Sequence, residues 1–86
     1  MTYSELVKLV ADDFKQSMNE EGFESFKEMA RCYQWDSDDI RAEVEYIINA
    51  SQKAYMGDDG ITVFDDASDE PYKYRDFIRL VRKELN

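Results

Sequence analysis

Carboxylates are the reactive side chains that this 86-residue chain carries in excess. The chain contains 20 Asp and Glu but only 11 Lys and Arg, one Cys and no His. Clustered carboxylates can bind hard cations, transfer protons as general acids and bases, or present negative charge to a basic partner. The spacing of the acids, and the residues between them, distinguish these three kinds of chemistry.

The charge is unevenly distributed along the chain. Residues 1–70 carry eighteen acids and six bases, a balance of −12, whereas residues 71–86 carry two acids and five bases, a balance of +3. The formal net charge is therefore −9. A field of this sign repels nucleic acid and membrane surfaces and attracts a basic protein surface. We therefore expect the partner to be a basic protein surface, and we expect direct binding neither to nucleic acid nor to a membrane.

Two stretches hold the candidate binding residues. We call the first set the helical acids, because they surround the start of a predicted helix: Asp36, Asp38, Asp39, Glu43 and Glu45. We call the second set the hairpin acids, because they flank a predicted hairpin: Asp58, Asp59, Asp65, Asp66, Asp69 and Glu70. No base falls within residues 58–70, so no neighbour in sequence neutralises the hairpin acids.

Neither stretch has the spacing of a calcium loop. Placing Gly60 at the invariant glycine of an EF-hand loop puts Tyr55 at the first ligand position, where an Asp is needed. Residues 36–39 lack the glycine altogether. A turn rich in Asp side chains that bond to their own backbone explains residues 58–70 without a metal. We expect no metal ion and no cofactor.

Catalytic machinery is not recognisable in this composition. Without His, acid–base catalysis would depend on carboxylate pairs, and the acids are too numerous for any pair to stand out. Cys32 lies close to Met29 and Ala30 and is predicted to be a small buried hydrophobic residue rather than a nucleophile. The three Gly form no glycine-rich phosphate loop. We expect a protein that is not an enzyme.

Length and composition indicate a single folded domain over residues 1–86. Hydrophobic residues make up 43% of the chain and aromatic residues 14%, which is enough to build a core despite the charge. One Cys permits no intramolecular disulfide, and no basic, apolar signal segment follows Met1. We therefore expect a cytoplasmic protein.

The first half of the chain predicts two helices. Apolar residues recur at steps of three and four over residues 3–18, the pattern of a helix with one buried face. Thr2 and Glu5 have the spacing of a capping box at its start, and Gly22 can end it in the left-handed conformation. A shorter helix is predicted over residues 24–33.

A third helix is predicted over residues 38–53, with Asp36 or Ser37 as its cap. Trp35 lies in the connection before it, and we expect this side chain to anchor a corner of the core rather than to lie at an interface. The residues at the middle of the long apolar stripes are predicted core residues: Phe14, Ile47 and Phe77.

The last third of the chain begins with strand and turn residues instead of a helical repeat. Residues 54–56 and 61–64 can pair as a short hairpin, which needs helices beneath it to be stable. The acidic residues that follow are predicted to form a solvated loop. A final helix is predicted over residues 71–85, starting at a proline and capped by Ser68 or Asp69. The fold class is therefore mainly α, with about four helices and a short β-hairpin before the last.

The many carboxylates could imitate the negative charges of a nucleic-acid backbone. Duplex DNA presents an array of single negative charges, which proteins bind in grooves lined with Lys and Arg. A rigid domain with carboxylates at similar spacing can occupy such a groove. Asp39 and Glu43 form a like-charge pair four residues apart on a helix, a local cost to stability that can mark function. The alternative is a solubilising surface, in which the acids are scattered rather than gathered on one face.

In size, acidity and acidic tracts the chain resembles the small phage-encoded anti-CRISPR and anti-restriction inhibitors that imitate DNA. The tracts are residues 36–39, 58–59 and 65–70. The resemblance covers the whole chain, but those inhibitors share no motif, so it assigns no functional residue. It implies inhibition of a nucleic-acid-binding protein, such as a CRISPR or restriction effector, in the cytoplasm of a host cell. The alternative is a small acidic interaction adaptor or a structural phage protein.

The last helix departs from a uniformly acidic mimic. Arg75, Arg79 and Arg82 form a basic stripe four and three residues apart. Bases near a helix C-terminus are favourable for the helix dipole alone, and the net field of the chain opposes phosphate binding. We expect these arginines to pair with neighbouring acids. Contact between this helix and a DNA-binding groove is not expected.

Overall fold

The computed structural model describes residues 1–86 and contains four helices and one two-stranded sheet. This order confirms the predicted mainly α fold with a short hairpin before the last helix. The elements follow one another as α1 (Tyr3–Glu21), α2 (Phe26–Cys32), α3 (Ser37–Ser51), β1 (Ala54–Met56), β2 (Ile61–Val63) and α4 (Tyr74–Leu85).

The ends of α1 are set by local interactions. The Thr2 side chain accepts a hydrogen bond from the Glu5 N–H, and the Glu5 side chain accepts one from the Thr2 N–H, so the predicted capping box is confirmed. Gly22 ends the helix at φ 78°, a conformation that favours glycine. The helix continues to Glu21, three residues beyond the predicted end at residue 18.

The connection between α2 and α3 is also built from local bonds. Of the two predicted caps for α3, the structure uses Asp36, which exchanges side-chain-to-backbone hydrogen bonds with Asp39. Before it, the chain turns at Gln34, a non-glycine residue at φ 59°. The Trp35 N–H donates to the Ala30 carbonyl at 2.8 Å and closes the end of α2.

The predicted start of the last helix at Pro71 is wrong. The N–H groups of Ile61 and Tyr72 donate to each other's carbonyls at 2.7 and 2.8 Å, which holds residues 71–72 extended beside β2. The helix therefore begins at Tyr74, after Lys73, without a side-chain cap. Neither predicted cap is used, because Ser68 lies in the preceding loop and donates its hydroxyl hydrogen to the Glu70 carbonyl.

Every helix and strand contributes to one hydrophobic core of 19 buried residues. The predicted core residues Phe14, Ile47 and Phe77 all belong to it, and Trp35 packs against it as expected. Cys32, predicted to be buried, is exposed. At 3.6 residues per turn Cys32 lies roughly 120° around α2 from the buried Phe26, so it faces away from the core.

Ring contacts show how α1 positions the other elements. The Phe77 ring lies 5.9 Å from Tyr3 at the start of α1, and Trp35, just before α3, lies 6.4 Å from Phe14, farther along α1. The hairpin returns to the start of α1, where the amino group of Met1 donates to the Phe64 carbonyl at 3.3 Å. Across the whole chain, no helix combines the length and apolar composition needed to cross a bilayer.

Gly60→Ala should destabilise the fold. Gly60 has φ 154°, and a Cβ there would overlap the carbonyl of Tyr72, so the bridge between Ile61 and Tyr72 must break or shift. We expect a loss of more than about 1 kcal/mol of unfolding free energy, measured by thermal and urea denaturation.

Gly57→Ala is the matched control for that change. Its new Cβ would meet the Tyr55 ring at 3.2 Å, which can move, and it needs no positive φ. Equal losses of stability in both variants would contradict the close approach at Gly60.

Candidate acidic binding surface

The carboxylates are almost entirely unneutralised within the molecule. All 20 acids are exposed except Glu43 and Asp66, which are partly buried. One ion pair forms, between Arg79 and Asp76 at 3.5 Å, and both side chains are more than half exposed. A pair of that kind contributes little to stability, typically below about 1 kcal/mol. The exposed carboxylates therefore give the protein surface a net negative potential.

The basic stripe of α4 does not neutralise this field. Arg79 makes the one ion pair, but Arg75 makes none, and the Arg82 guanidinium lies 5.5 Å from the centre of the Phe26 ring. The expectation that all three arginines pair with acids is therefore wrong for two of them. The partner of the Arg82 guanidinium is therefore the ring of Phe26 in α2 rather than a carboxylate.

Two of the five helical acids have a structural role. The carboxylates of Asp36 and Asp39 form the cap of α3 through hydrogen bonds of 2.9 and 3.0 Å. The side chains of Asp38, Glu43 and Glu45 make no hydrogen bond or ion pair. At 100° per residue Asp38 and Glu45 share one side of α3, whereas Glu43 lies roughly 140° around from Asp38. The free helical acids therefore do not share one face.

Asp66 is the most constrained of the hairpin acids. Its Oδ1 accepts hydrogen bonds from the Ser68 N–H at 2.9 Å and the Tyr72 hydroxyl at 3.0 Å, and its Oδ2 accepts one from the Tyr3 N–H at 2.9 Å. The Tyr72 ring stacks on the Tyr3 ring at 3.8 Å. Asp66 therefore joins the loop to the start of α1 and to the segment before α4.

These hydrogen bonds lower the pKa of the Asp66 carboxyl below its ordinary value. The Ser68 N–H has the largest effect, and the Tyr72 hydroxyl and the Tyr3 N–H add to it. Each donor stabilises the ionised form. The expectation that this loop consists of solvated acids is therefore wrong at Asp66, which is partly buried and accepts hydrogen bonds through both carboxylate oxygens.

The other hairpin acids are free. Asp58 and Asp59 lie in the turn that Gly57 and Gly60 close with a 2.8 Å backbone hydrogen bond. Asp65 follows β2 at φ 64°, in a left-handed conformation that Asp tolerates better than most residues. The free members of the set are all exposed, and their side chains make no hydrogen bond: Asp58, Asp59, Asp65, Asp69 and Glu70.

Two aromatic side chains lie among the free hairpin acids. Tyr55 is 58% exposed and Phe64 is 48% exposed, on the face of the hairpin that points away from the core. The Tyr55 ring leans over Gly57 toward the turn. Sequence reasoning missed this pair, although the alternation of buried and exposed residues over 54–56 and 61–64 would have placed both outward.

The first helical acids and the hairpin loop lie near different ends of α1. Trp35, next to the first helical acid, contacts Phe14, whereas the hairpin loop is bonded to Tyr3. Tyr3 and Phe14 are about 16 Å apart along α1, at 1.5 Å per residue. The hairpin acids stay together around one end of α1, because Gly60 abuts Tyr72 and Tyr72 stacks on Tyr3.

A second aromatic cluster accompanies the helical acids. The Tyr33 ring packs edge-on to Phe23 at 5.8 Å and lies 5.2 Å from Trp35 at an angle of 30°. Tyr33 is the C-cap of α2 and is 46% exposed. Trp35 and Phe23 are partly buried against the core.

A surface groove begins at the start of α1, beside the residue whose N–H bonds to Asp66. It has a volume of about 450 Å³ between α1 and α4, and three of its seven lining residues are hydrophobic: Tyr3, Val7 and Leu80, beside Ser4, Lys8, Lys83 and Glu84. No group of three or more Cys, Asp or Glu side chains in the chain is arranged to hold a metal ion. The groove combines both signs of charge and therefore selects neither.

Comparison of the chain with protein-family models, with curated proteins and with solved structures found no match.

Asp66→Asn should make the stability of the protein less dependent on pH. A carboxyl with a lowered pKa in the folded chain stabilises it above the unfolded pKa of about 3.9, and this contribution is lost as pH falls through the folded pKa. The thermal midpoint of the variant should therefore lie below that of the parent at pH 7, and the difference should shrink below pH ~4.

Asp69→Asn provides the control, because Asp69 is exposed and makes no hydrogen bond through its side chain. Its thermal midpoint should follow that of the parent from pH 7 to pH 3. If Asp66→Asn also followed the parent throughout, the carboxylate would not join the loop to α1.

Proposed function

We propose that this chain is a non-catalytic inhibitor that occupies the basic groove of a nucleic-acid-binding protein. The free hairpin acids are the surface that enters the groove. One observation carries this proposal: five carboxylates lie around one small hairpin, all exposed and none paired with a base. A CRISPR or restriction effector in a host cytoplasm is a partner of this kind.

The energetic basis is the release of counterions. A groove that binds nucleic acid is lined with Lys and Arg. Counterions are released into solution when phosphates bind there. Carboxylates that are already exposed and unpaired need to break no internal ion pair before they enter such a groove. The hairpin acids meet this condition better than the helical acids, since Asp36 and Asp39 are used by the cap of α3.

The uneven charge of the chain supports a defined direction of approach. The acids are concentrated in residues 1–70, and the +3 balance of residues 71–86 lies mainly on α4. A basic groove attracts the acidic part of the surface and repels α4, which orients the encounter before contact. Binding should therefore begin faster at low ionic strength.

The second candidate function is an interaction adaptor or structural phage protein whose acidity only confers solubility. The arrangement of the free helical acids favours it, because Glu43 lies roughly 140° around α3 from Asp38, whereas a mimic of an extended duplex would gather its acids on one face. Under this alternative the partner contacts an apolar patch, and the carboxylates are interchangeable with one another. Equal changes of charge at different sites then distinguish the two functions.

The test is charge reversal of Asp58, Asp59 and Asp65 to Lys, with Asp66 left intact. Each reversal changes the charge by +2, so the net charge rises from −9 to −3. The assay measures displacement of a fluorescent oligonucleotide from a panel of nucleic-acid-binding proteins, including CRISPR and restriction effectors, over a series of salt concentrations. The parent should displace it from at least one member, with a steep salt dependence, and the variant should fail.

The matched control reverses Asp12, Asp13 and Glu21 to Lys, which are exposed acids of α1 without side-chain bonds or ion pairs. It has the same net charge of −3 and should retain displacement. Equal loss in both variants would favour the solubilising interpretation, and retention in both would exclude the hairpin acids. Reversal of Asp38, Glu43 and Glu45 then tests the helical acids without removing the cap of α3.

A further inference from the structure

We propose that the outward face of the hairpin selects arginine over lysine in the partner's basic surface. We call this face the aromatic hairpin face: Tyr55 and Phe64 together with Asp58, Asp59 and Asp65. The inference rests on the proposed function, because it specifies which cation the acidic surface recognises. Its occupant is a partner surface that presents guanidinium groups.

The hairpin register places the two side chains on the same face. Tyr55 pairs with Thr62 across the strands, and two pairs farther along the Phe64 N–H donates to the Lys53 carbonyl at 3.0 Å. Tyr55 and Phe64 are therefore diagonal neighbours on one face, a spacing at which Cα atoms lie about 7–8 Å apart. A single basic segment can contact both rings.

Neither ring has a partner within the molecule. The contacts between aromatic rings involve Tyr3, Phe14 and their neighbours, but not Tyr55 or Phe64. No arginine of the chain lies over either ring. Two large aromatic side chains are thus left about half exposed in a protein that buries most of its apolar residues. Exposed aromatic residues of this kind are typical anchors of protein interfaces.

The acids beside the rings determine the sign of the occupant. Asp58 and Asp59 follow Tyr55 through the turn, and Asp65 follows Phe64 directly. The Tyr55 ring leans over Gly57, which brings it toward the two turn acids. A guanidinium group can stack on a ring and donate paired hydrogen bonds to a carboxylate, whereas a lysine ammonium is a compact and strongly hydrated charge. The combination of ring and carboxylate therefore favours arginine.

Two arginine guanidinium groups of this chain lie against aromatic rings within the molecule. The Arg41 guanidinium lies 4.9 Å from the centre of the Tyr74 ring, and that of Arg82 lies 5.5 Å from the centre of the Phe26 ring. Neither arginine forms an ion pair. In both cases an aromatic face holds the cation without a carboxylate. The aromatic hairpin face offers the same contact with carboxylates added.

The test compares two fluorescent peptides, deca-arginine and deca-lysine, which carry equal charge. Fluorescence anisotropy at moderate salt should give a dissociation constant roughly 5- to 30-fold lower for deca-arginine, the range expected for two cation–π contacts at exposed sites. Replacing both rings, Tyr55→Leu with Phe64→Leu, should reduce this ratio several-fold. Leucine preserves apolar bulk on the hairpin and removes only the aromatic face.

The matched control is Tyr46→Leu, which removes a tyrosine that is 73% exposed on α3. It should leave the arginine preference of the parent unchanged. An unchanged ratio in the variant that lacks both hairpin rings, or an equal fall in the control, would overturn the inference. Circular dichroism of each variant checks that the helices remain folded.

The outcome separates this inference from the proposed function. If the parent binds both peptides equally, with a steep salt dependence that the reversal of Asp58, Asp59 and Asp65 removes, the acidic surface acts without selecting arginine and the inference is wrong. If neither peptide binds at low salt, the proposed function and the inference both fail. A ratio that depends on the rings, together with binding that depends on the acids, supports both.

Discussion

The hairpin is held in place by its buried strand residues and by the carboxylate of Asp66. Strands of three residues cannot hold a two-stranded sheet in water by themselves. Asp66 accepts hydrogen bonds from Tyr3, Ser68 and Tyr72, and the stacked rings of Tyr3 and Tyr72 seal the same junction. One ionised side chain thus joins the first helix, the hairpin loop and the segment before the last helix. The loop that carries Asp65 and Asp69 is thereby attached to the start of α1.

The excess negative charge of the protein lowers its stability, because the like charges repel one another. Eighteen of its twenty acids are exposed, and one exposed ion pair offsets part of their repulsion. The arginines that could neutralise more of them contact rings instead, as Arg41 and Arg82 do. A core of 19 residues, drawn from all six elements, supports the fold under this repulsion. The result is a small folded protein with an unneutralised negative surface.

Several features of the fold follow directly from short-range sequence patterns. The capping boxes at Thr2 and Asp36 and the turn at Gly22 involve residues only a few positions apart, so their chemistry can be read along the chain. The same holds for the core residues of α1, α3 and α4, because a repeat of 3.6 residues places them on one face. The positions of the candidate acids on a helix and around a hairpin were likewise predictable.

The remaining features depend on contacts between distant residues. Asp66 bonds to Tyr3 across 63 positions, so nothing in the local sequence distinguishes it from its solvated neighbour Asp65. Tyr72 pairs with β2 rather than joining α4, because the open edge of Ile61 offers it two hydrogen bonds. Composition could supply the number and sign of the charges. The tertiary structure decided which of those charges stay free, because hydrogen bonds from Tyr3 and Tyr72 engage Asp66, and no local repeat predicts a contact between segments so distant in the chain.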